Sequence, residues 1–291
     1  MNVKNTYVST TFAKDNSLLF DIINQCKNAG ILSIEIGSNH CFENDYNYLK
    51  DFSFDYLVHN YFPIPKDSFV LNIASFNDDI RKLSLDHIKK AINLCNEINA
   101  KLYTFHPGFL TDPEGSNLSD KNYDFQWDNN QLKNININKA TELMYKSLDE
   151  IIELANDKNV SIAIETEGSV SKKDHLLMQK PDEYKIFMNR YNPNEIGINL
   201  NIGHLNLASN SFQFDRVGFV SLVKDYIVAM ELSHNDGIED QHLPLQAGSW
   251  YWDIICDASF KDVYKILEFR NTSIKKIINN LKMFKRMIDA I

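Results

Sequence analysis

The chain has 291 residues, of which 44% are hydrophobic and 12% aromatic, a composition typical of a folded protein and not of a disordered one. Its 30 basic and 39 acidic residues give a net charge of −9, which opposes binding to a nucleic-acid backbone. It lacks both an apolar run long enough for a membrane helix and the features of a signal peptide. We therefore expect a cytoplasmic protein, with neither nucleic acid nor membrane as its partner.

Short runs rich in β-branched and aromatic residues alternate along the chain with longer amphipathic segments, which is the pattern of parallel βα units. The predicted strands are 6–10, 32–37, 55–60, 102–107, 161–166, 196–201, 228–234 and 264–269. The predicted helices are 17–29, 83–99, 138–158, 181–190, 214–225 and 273–291.

Eight strands with helices between them predict an α/β fold, a single (β/α)₈ TIM barrel that spans residues 1–291. An open doubly wound sheet is the alternative, but the chain has no Gly-rich phosphate turn of the kind that such sheets carry. The stretch at about 111–137 is a long irregular insertion after a strand end. On a barrel it would lie over the mouth, as a lid or specificity loop.

The predicted strands end in residues that carry chemistry. The carboxyl ends of barrel strands meet at the catalytic face, so we expect these residues to converge although they lie far apart in sequence. Three loop residues join the set, and five of the chain's 8 histidines belong to it. The strand-end residues are His59, His106, Glu165, Asn201, His234 and Glu268, and the loop residues are His204, Asp240 and His242.

Imidazole and carboxylate groups together suit zinc, manganese, iron or cobalt. Two glutamates facing each other across a barrel mouth, Glu165 and Glu268, could bridge metals or exchange protons with a substrate C–H group. A lone strand-end histidine is more often structural, and Asp240-x-His242 by itself fits a surface loop equally well. The placement of the whole set at strand ends favours a metal site.

Six segments carry a family resemblance: "VHNYFPIPKDSFVLNIAS", "YTFHPGF", "AIETEGS", "INLNIGHLNLA", "ELSHNDGIEDQHLPLQAGS" and "ILEFRN". In this order they resemble the xylose-isomerase-like TIM-barrel superfamily, which contains sugar isomerases and epimerases together with the endonuclease IV apurinic endonucleases. The resemblance extends over most of the chain, from residue 32 to residue 271.

The resemblance implies a core metal site formed by Glu165, Asn201, His234 and Glu268. In the isomerases this site holds one divalent ion, usually manganese, cobalt or magnesium, and the two glutamates move a proton between neighbouring carbons. Asn201 stands where the family has an aspartate, so this site carries one negative charge fewer.

In the endonucleases of the superfamily a larger ligand set surrounds three zinc ions. The matching positions in this chain are His59, His106, His204, Asp240 and His242.

Three functions follow, in order of preference. The first is a metal-dependent isomerase or epimerase of a sugar or sugar derivative, with a small carbohydrate as its substrate. Glu165 and Glu268 would act as acid and base on an enediolate, while His204 and His106 would orient hydroxyls or complete the metal shell. The alternative is a zinc-dependent hydrolase of a phosphodiester or another ester. The third is a binding protein without activity, in which Asn201 marks a decayed metal site. Homo-oligomer formation stays open.

Overall fold

Eight parallel strands close into a barrel, which confirms the predicted fold. The computed structural model describes residues 4–112, 136–168 and 175–289, together with the strand backbone at 115–118 and 123–126. The strands are β1 (Thr6–Ser9), β2 (Ser33–Ile36), β3 (Asp55–His59), β4 (Tyr103–Phe105), β5 (Gly115–Leu118), β6 (Tyr123–Gln126), β7 (Ile162–Glu165), β8 (Gly197–Asn201), β9 (Ile227–Leu232) and β10 (Tyr264–Leu267). Around the barrel the order is β1-β10-β9-β8-β7-β4-β3-β2.

Helices follow most of the barrel strands and cover the outside of the barrel. They are α1 (Leu19–Asn28), α2 (Asp78–Ile98), α3 (Ile137–Lys158), α4 (Pro181–Arg190), α5 (Ile202–Phe212), α6 (Arg216–Val223), α7 (Trp252–Ile255) and α8 (Ile274–Asp289). Between β2 and β3 the connection contains a short 3₁₀ helix, Asn47–Asp51. No helix in the described ranges combines the length and the apolar character that crossing a lipid bilayer requires.

Asparagine side chains and backbone fix the ends of the two longest helices. Asn77 caps the start of α2 by accepting a hydrogen bond from the Asp79 backbone N–H. Asn99 ends the same helix with a left-handed backbone at φ 56°, and Asn159 ends α3 in the same way at φ 54°. Asparagine tolerates this conformation better than other residues with a side chain, so these positions stop the helices and turn the chain toward the next strand.

The alternation of side chains along the strands sorts the residues into two environments. One residue set faces outward and packs under the helices, as Val8, Val58, Ile164 and Met230 do. The other set faces the barrel interior and forms a separate apolar cluster, here called the barrel floor. The barrel floor consists of Tyr7, Leu57, Leu102, Ala163, Ala229 and Ile266.

Two residues beyond each floor position, toward the carboxyl ends of the strands, lies a ring of buried polar side chains. We call this ring the polar tier, and its members are Ser9, His59, Thr104, Glu165, Glu231 and Glu268. Register pairing adds Glu35 beside Ser9, Asn199 beside Glu165 and Asn201 beside Glu231. The barrel interior therefore changes from apolar to polar within two residues, and the change falls below the catalytic face of the fold.

The helix predictions need three corrections. α2 begins five residues earlier than predicted, because Asn77 and the acidic residues after it cap the helix there. α3 begins one residue earlier than predicted, because Asn136 caps it by accepting a hydrogen bond from the Lys139 backbone N–H. α5 was not predicted, because it follows β8 directly and buries its residues on several sides, which hides the helical period.

The proposed insertion at 111–137 lies for the most part outside the described residues. Its described backbone pairs as an antiparallel hairpin of β5 and β6, with Gly115 opposite Gln126 and Leu118 opposite Tyr123.

His87 on α2 gives the fold a dependence on pH. Its side chain is 4% exposed and stacks on Tyr61 at 5.1 Å between ring centroids. Burial, helped by Lys90, lowers the pKa of His87 to about 4, from the ordinary value of 6.5. Between these values the unfolded chain binds a proton that the folded chain does not. The stability linked to His87 is therefore complete above pH 6.5 and is lost as the pH falls toward 4.

We predict that His87→Phe, which keeps an aromatic ring and removes the titration, reduces this acid sensitivity. The difference in the free energy of unfolding between pH 7 and pH 4.5 should shrink by on the order of 2 kcal/mol. Urea unfolding of metal-free protein at both pH values measures it. Ile92→Val, another change on the buried face of α2, should lower stability equally at both. An undiminished pH dependence in His87→Phe would contradict the assignment.

Candidate active site

Glu165 stands at the centre of the polar tier and is surrounded by nitrogen atoms. Its Oε1 accepts a hydrogen bond of 2.8 Å from Asn201 Nδ2 and lies 3.1 Å from His204 Nδ1. Its Oε2 lies 3.6 Å from Nε2 of both His59 and His106. Burial alone would raise the pKa of Glu165, but the attraction of His106, His204 and His59 outweighs it and lowers the pKa well below its usual value. Glu165 is therefore ionised although it is 1% exposed.

Asn201 links two carboxylates and also starts a helix. The two hydrogens of its amide go to Glu165 Oε1, at 2.8 Å, and to Glu231 Oε2, at 3.0 Å. Its Oδ1 accepts from the His204 backbone N–H and so caps α5. One neutral side chain therefore holds two acidic groups apart and positions His204 one turn into the next helix.

A second group of residues surrounds Asp240. Asp240 Oδ2 lies 2.9 Å from His242 Nε2, 3.6 Å from His204 Nε2 and 3.8 Å from Arg270. His242 Nδ1 in turn lies 3.0 Å from Glu268 Oε2. Burial would raise the pKa of Asp240, but His242 and His204 lower it well below its usual value. A continuous series of contacts between acidic groups and imidazoles thus leads to Glu165 from Glu268, through His242, Asp240 and His204.

The histidines are held by their outer nitrogens. His204 Nδ1 lies 2.9 Å from the Thr166 carbonyl oxygen and His106 Nδ1 lies 2.5 Å from Glu167 Oε1. Burial alone would lower the pKa of His106, but Glu167 and Glu165 raise it to about 9. His106 Nε2 then faces Glu165 and His204 Nε2 faces Asp240, while His204 Nδ1 also lies 3.1 Å from Glu165 Oε1. This is the way in which proteins orient metal-ligating histidines, with a second partner fixing the ring from behind.

The structure brings eight of the nine predicted site residues together, and His234 is the exception. His234 is partly exposed, its backbone pairs with Leu243, and its ring lies beside Tyr251, with 3.5 Å between Nδ1 and the hydroxyl. The reason is the alternation of β9. Ala229 and Glu231 face the interior, so a residue at position 234 falls on the opposite phase.

Three acidic residues of the cluster were missed by the sequence analysis: Glu35, Glu167 and Glu231. Glu231 receives hydrogen bonds from Asn199, at 2.6 Å, and from Asn201, and Glu35 is 0% exposed. Both lie in predicted strands, and the signal available for them was phase: each interrupts an apolar run at an interior position. The predicted site was built from strand ends alone, so it did not include Glu35 and Glu231, which lie inside strands.

The residues present fit a divalent metal. Glu165 Oε2, Glu268 Oε2 and Asp240 Oδ1 are buried and make no hydrogen bond with the described residues. Three sets of imidazole and carboxylate groups each bring their ligand atoms within 4.8 Å of one another. The sets are His59–His106–Glu165, His204–Asp240–His242 and Glu35–His59–Glu231. Buried carboxylate oxygens without partners are costly, and a cation supplies the missing interaction.

A parallel barrel whose carboxyl ends hold buried imidazoles and carboxylates defines an α/β barrel with a potential metal centre. A family model described as "Xylose isomerase-like TIM barrel" matches residues 24–287. The chain therefore belongs to the xylose isomerase-like TIM-barrel family, which confirms the resemblance.

The chain is similar to individual proteins in sequence and in structure. The uncharacterized protein MJ1614 of Methanocaldococcus jannaschii is 27% identical over 220 residues, 74% of each chain. The crystal structure of a D-tagatose 3-epimerase-like protein superimposes with a TM-score of 0.75 at 20% identity, covering 98% of this chain and 97% of that one. A D-psicose 3-epimerase crystallised in the presence of D-fructose gives 0.67 at 11% identity, covering 97% and 99%. These two similarities establish the fold.

We predict that Asn201→Asp destabilises the metal-free protein. The change removes two hydrogen bonds and adds a negative charge between two acidic side chains, at a cost on the order of 3 kcal/mol. Saturating MnCl₂ should recover most of this loss, because a carboxylate binds the ion better than an amide oxygen does. Urea unfolding in EDTA and in MnCl₂ measures both effects.

The matched control is Asn206→Asp. Asn206 is a buried amide on α5 that donates to Asn235 outside the cluster. The stability change in this variant should be the same with and without the ion, because Asn206 lies outside the cluster. A loss in Asn201→Asp that manganese leaves unchanged would argue against a cation beside this residue.

Proposed function

We propose that the protein is a metal-dependent isomerase or epimerase of a sugar or sugar derivative, in which Glu165 and Glu268 transfer the proton. The observation that carries this proposal is the burial of these two glutamates in one cluster, each with at least one imidazole nitrogen within 3.1 Å of a carboxylate oxygen. The barrel is that of the family, and the structural neighbours whose names denote sugar epimerases support the choice of a sugar as the substrate.

Glu165, Asn201 and Glu268 would hold the metal, and Glu231 would take the β9 position first assigned to His234. Manganese, cobalt, magnesium and zinc are all compatible with this oxygen-rich set. A bound divalent ion supplies a Lewis acid for a substrate carbonyl and its neighbouring hydroxyl.

The two glutamates are prepared for proton transfer in different ways. Glu165 is held ionised by three imidazoles and accepts a proton from a substrate carbon. Burial alone would raise the pKa of Glu268, but His242 and Arg270 outweigh burial and lower this pKa below its usual value. Burial and Arg270 would lower the pKa of His242, but Asp240 and Glu268 raise it, so His242 can return a proton to Glu268 across 3.0 Å. Inversion at one carbon needs one carboxyl to accept and the other to deliver, and the reverse reaction exchanges the roles.

His106 and His204 are placed to orient the substrate or complete the metal shell. Glu167 holds His106 Nδ1 and the Thr166 carbonyl holds His204 Nδ1, so the orientation of each ring is fixed. A substrate hydroxyl near Glu165 would meet fixed rings, and fixed partners lower the entropy cost of orientation.

Proton exchange tests this proposal. Wild-type protein loaded with Mn²⁺ should exchange a carbon-bound hydrogen of a ketohexose with deuterium from D₂O, followed by proton NMR. Glu165→Gln and Glu268→Gln should each lower this rate by at least about 10²-fold, as expected when an acid or base is removed. Glu153→Gln, an exposed change on α3, should keep the wild-type rate. Full exchange in either site variant would rule out its role.

A second candidate, hydrolysis of a phosphodiester or another ester, is supported by two of the ligand sets. His59–His106–Glu165 and His204–Asp240–His242 each offer a complete three-ligand group. Zinc-loaded protein should then hydrolyse bis(p-nitrophenyl) phosphate, with His242→Gln inactive. Proton exchange without hydrolysis supports the first function, and hydrolysis without exchange supports the second.

A further inference from the structure

We propose that Glu35, His59 and Glu231 form an additional divalent-cation site in the barrel interior, which shares Glu231 with the metal site proposed above. The three residues come from β2, β3 and β9, and their ligand atoms lie within 4.8 Å of one another. The sequence did not predict these three residues as one site, although His59 was among the predicted ligands. The proposal concerns a binding site and does not depend on the reaction proposed above.

Glu35 is the feature that needs a ligand. It is 0% exposed, and neither of its carboxylate oxygens makes a hydrogen bond with a described residue. Burial, together with repulsion from Glu268, raises the pKa of Glu35 well above its usual value, although the neighbouring Ser9 hydroxyl acts in the opposite direction. An unpaired buried carboxyl costs several kcal/mol or stays protonated, unless a cation is present to bind it.

Glu231 shows the same imbalance from the other side of the interior. It receives two amide hydrogen bonds, from Asn199 and Asn201, but these donors are neutral. Burial and repulsion from Glu165, Glu268 and Glu35 raise the pKa of Glu231 well above its usual value. Two acidic side chains therefore bring ligand atoms within 4.8 Å of each other in the barrel interior. A divalent ion between them would neutralise both.

His59 connects the new site to the mouth. Its Nδ1 lies 3.3 Å from Glu231 Oε1, whereas its Nε2 lies 3.6 Å from Glu165 Oε2. The Thr104 hydroxyl lies 2.8 Å from the same Nδ1 and holds the ring upright. A hydroxyl can rotate its hydrogen away, so a cation can displace this contact. Two carboxylates and one imidazole suit manganese or zinc better than calcium.

The number of bound Mn²⁺ ions per chain tests the site. Full-length protein is stripped with chelator, dialysed against MnCl₂ and measured by elemental analysis. Glu35→Gln should bind one ion fewer than wild type, while Glu183→Gln should bind the wild-type number. Glu183 is a matched control, because its carboxylate accepts backbone N–H groups at the start of α4, away from the barrel interior. An unchanged count and affinity in Glu35→Gln would overturn the proposal.

Anomalous diffraction from wild-type crystals soaked in MnCl₂ provides a second test that does not require the variant to fold. A manganese peak within about 2.3 Å of carboxylate oxygens of both Glu35 and Glu231 is the expected result. Its absence, with peaks at other positions, overturns the proposal. An ion at this position without sugar proton exchange would reject only the proposed function. Exchange without the ion would reject only the additional site.

Discussion

The interior of this barrel is organised by the need to compensate buried acid. Glu35, Glu165, Glu231 and Glu268 enter one enclosed volume from four strands, and each is at most 5% exposed. Taking a carboxylate out of water costs several kcal/mol unless charge or hydrogen bonds replace the solvent. Imidazoles perform this task beside Glu165 and Glu268, and the neutral amides of Asn199 and Asn201 perform it beside Glu231. The positions of the histidines and asparagines are best understood as responses to these four side chains.

Facing positions of β8 and β9 carry an amide and a carboxyl group, Asn201 and Glu231. Asn201 carries an amide where the family resemblance expects an aspartate, and the inward residue of β9 is the acidic Glu231. Asn201 donates to Glu231 across the strand pair, at 3.0 Å. The amide on one strand thus meets an acidic side chain on its neighbour, and two facing carboxylates in this pair are avoided. The two hydrogen bonds that Asn201 donates give this amide a structural role in the cluster.

The sequence predicted the barrel because each of the eight strands is a short apolar run with turn residues around it, and it predicted eight members of the cluster because they follow those runs. It did not predict which side chains within a strand face the barrel interior. In "IVAMELSH" the acid at 231 and the imidazole at 234 are equally visible, and only the phase set by Ala229 on the barrel floor decides which one turns inward. Glu167 was missed for a different reason, since its role depends on a contact with His106 from a separate strand. Such contacts are set by packing and have no local signature.

The barrel floor affects how a ligand can reach the interior of the barrel. Tyr7, Leu57, Leu102, Ala163, Ala229 and Ile266 close the lower end with apolar side chains. The floor separates the polar tier from the amino-terminal end of the barrel, so a ligand of the polar tier would enter and leave at the carboxyl ends of the strands. A substrate bound at these strand ends would lie on that route, so an ion held by Glu35, His59 and Glu231 would exchange more slowly while the substrate is bound.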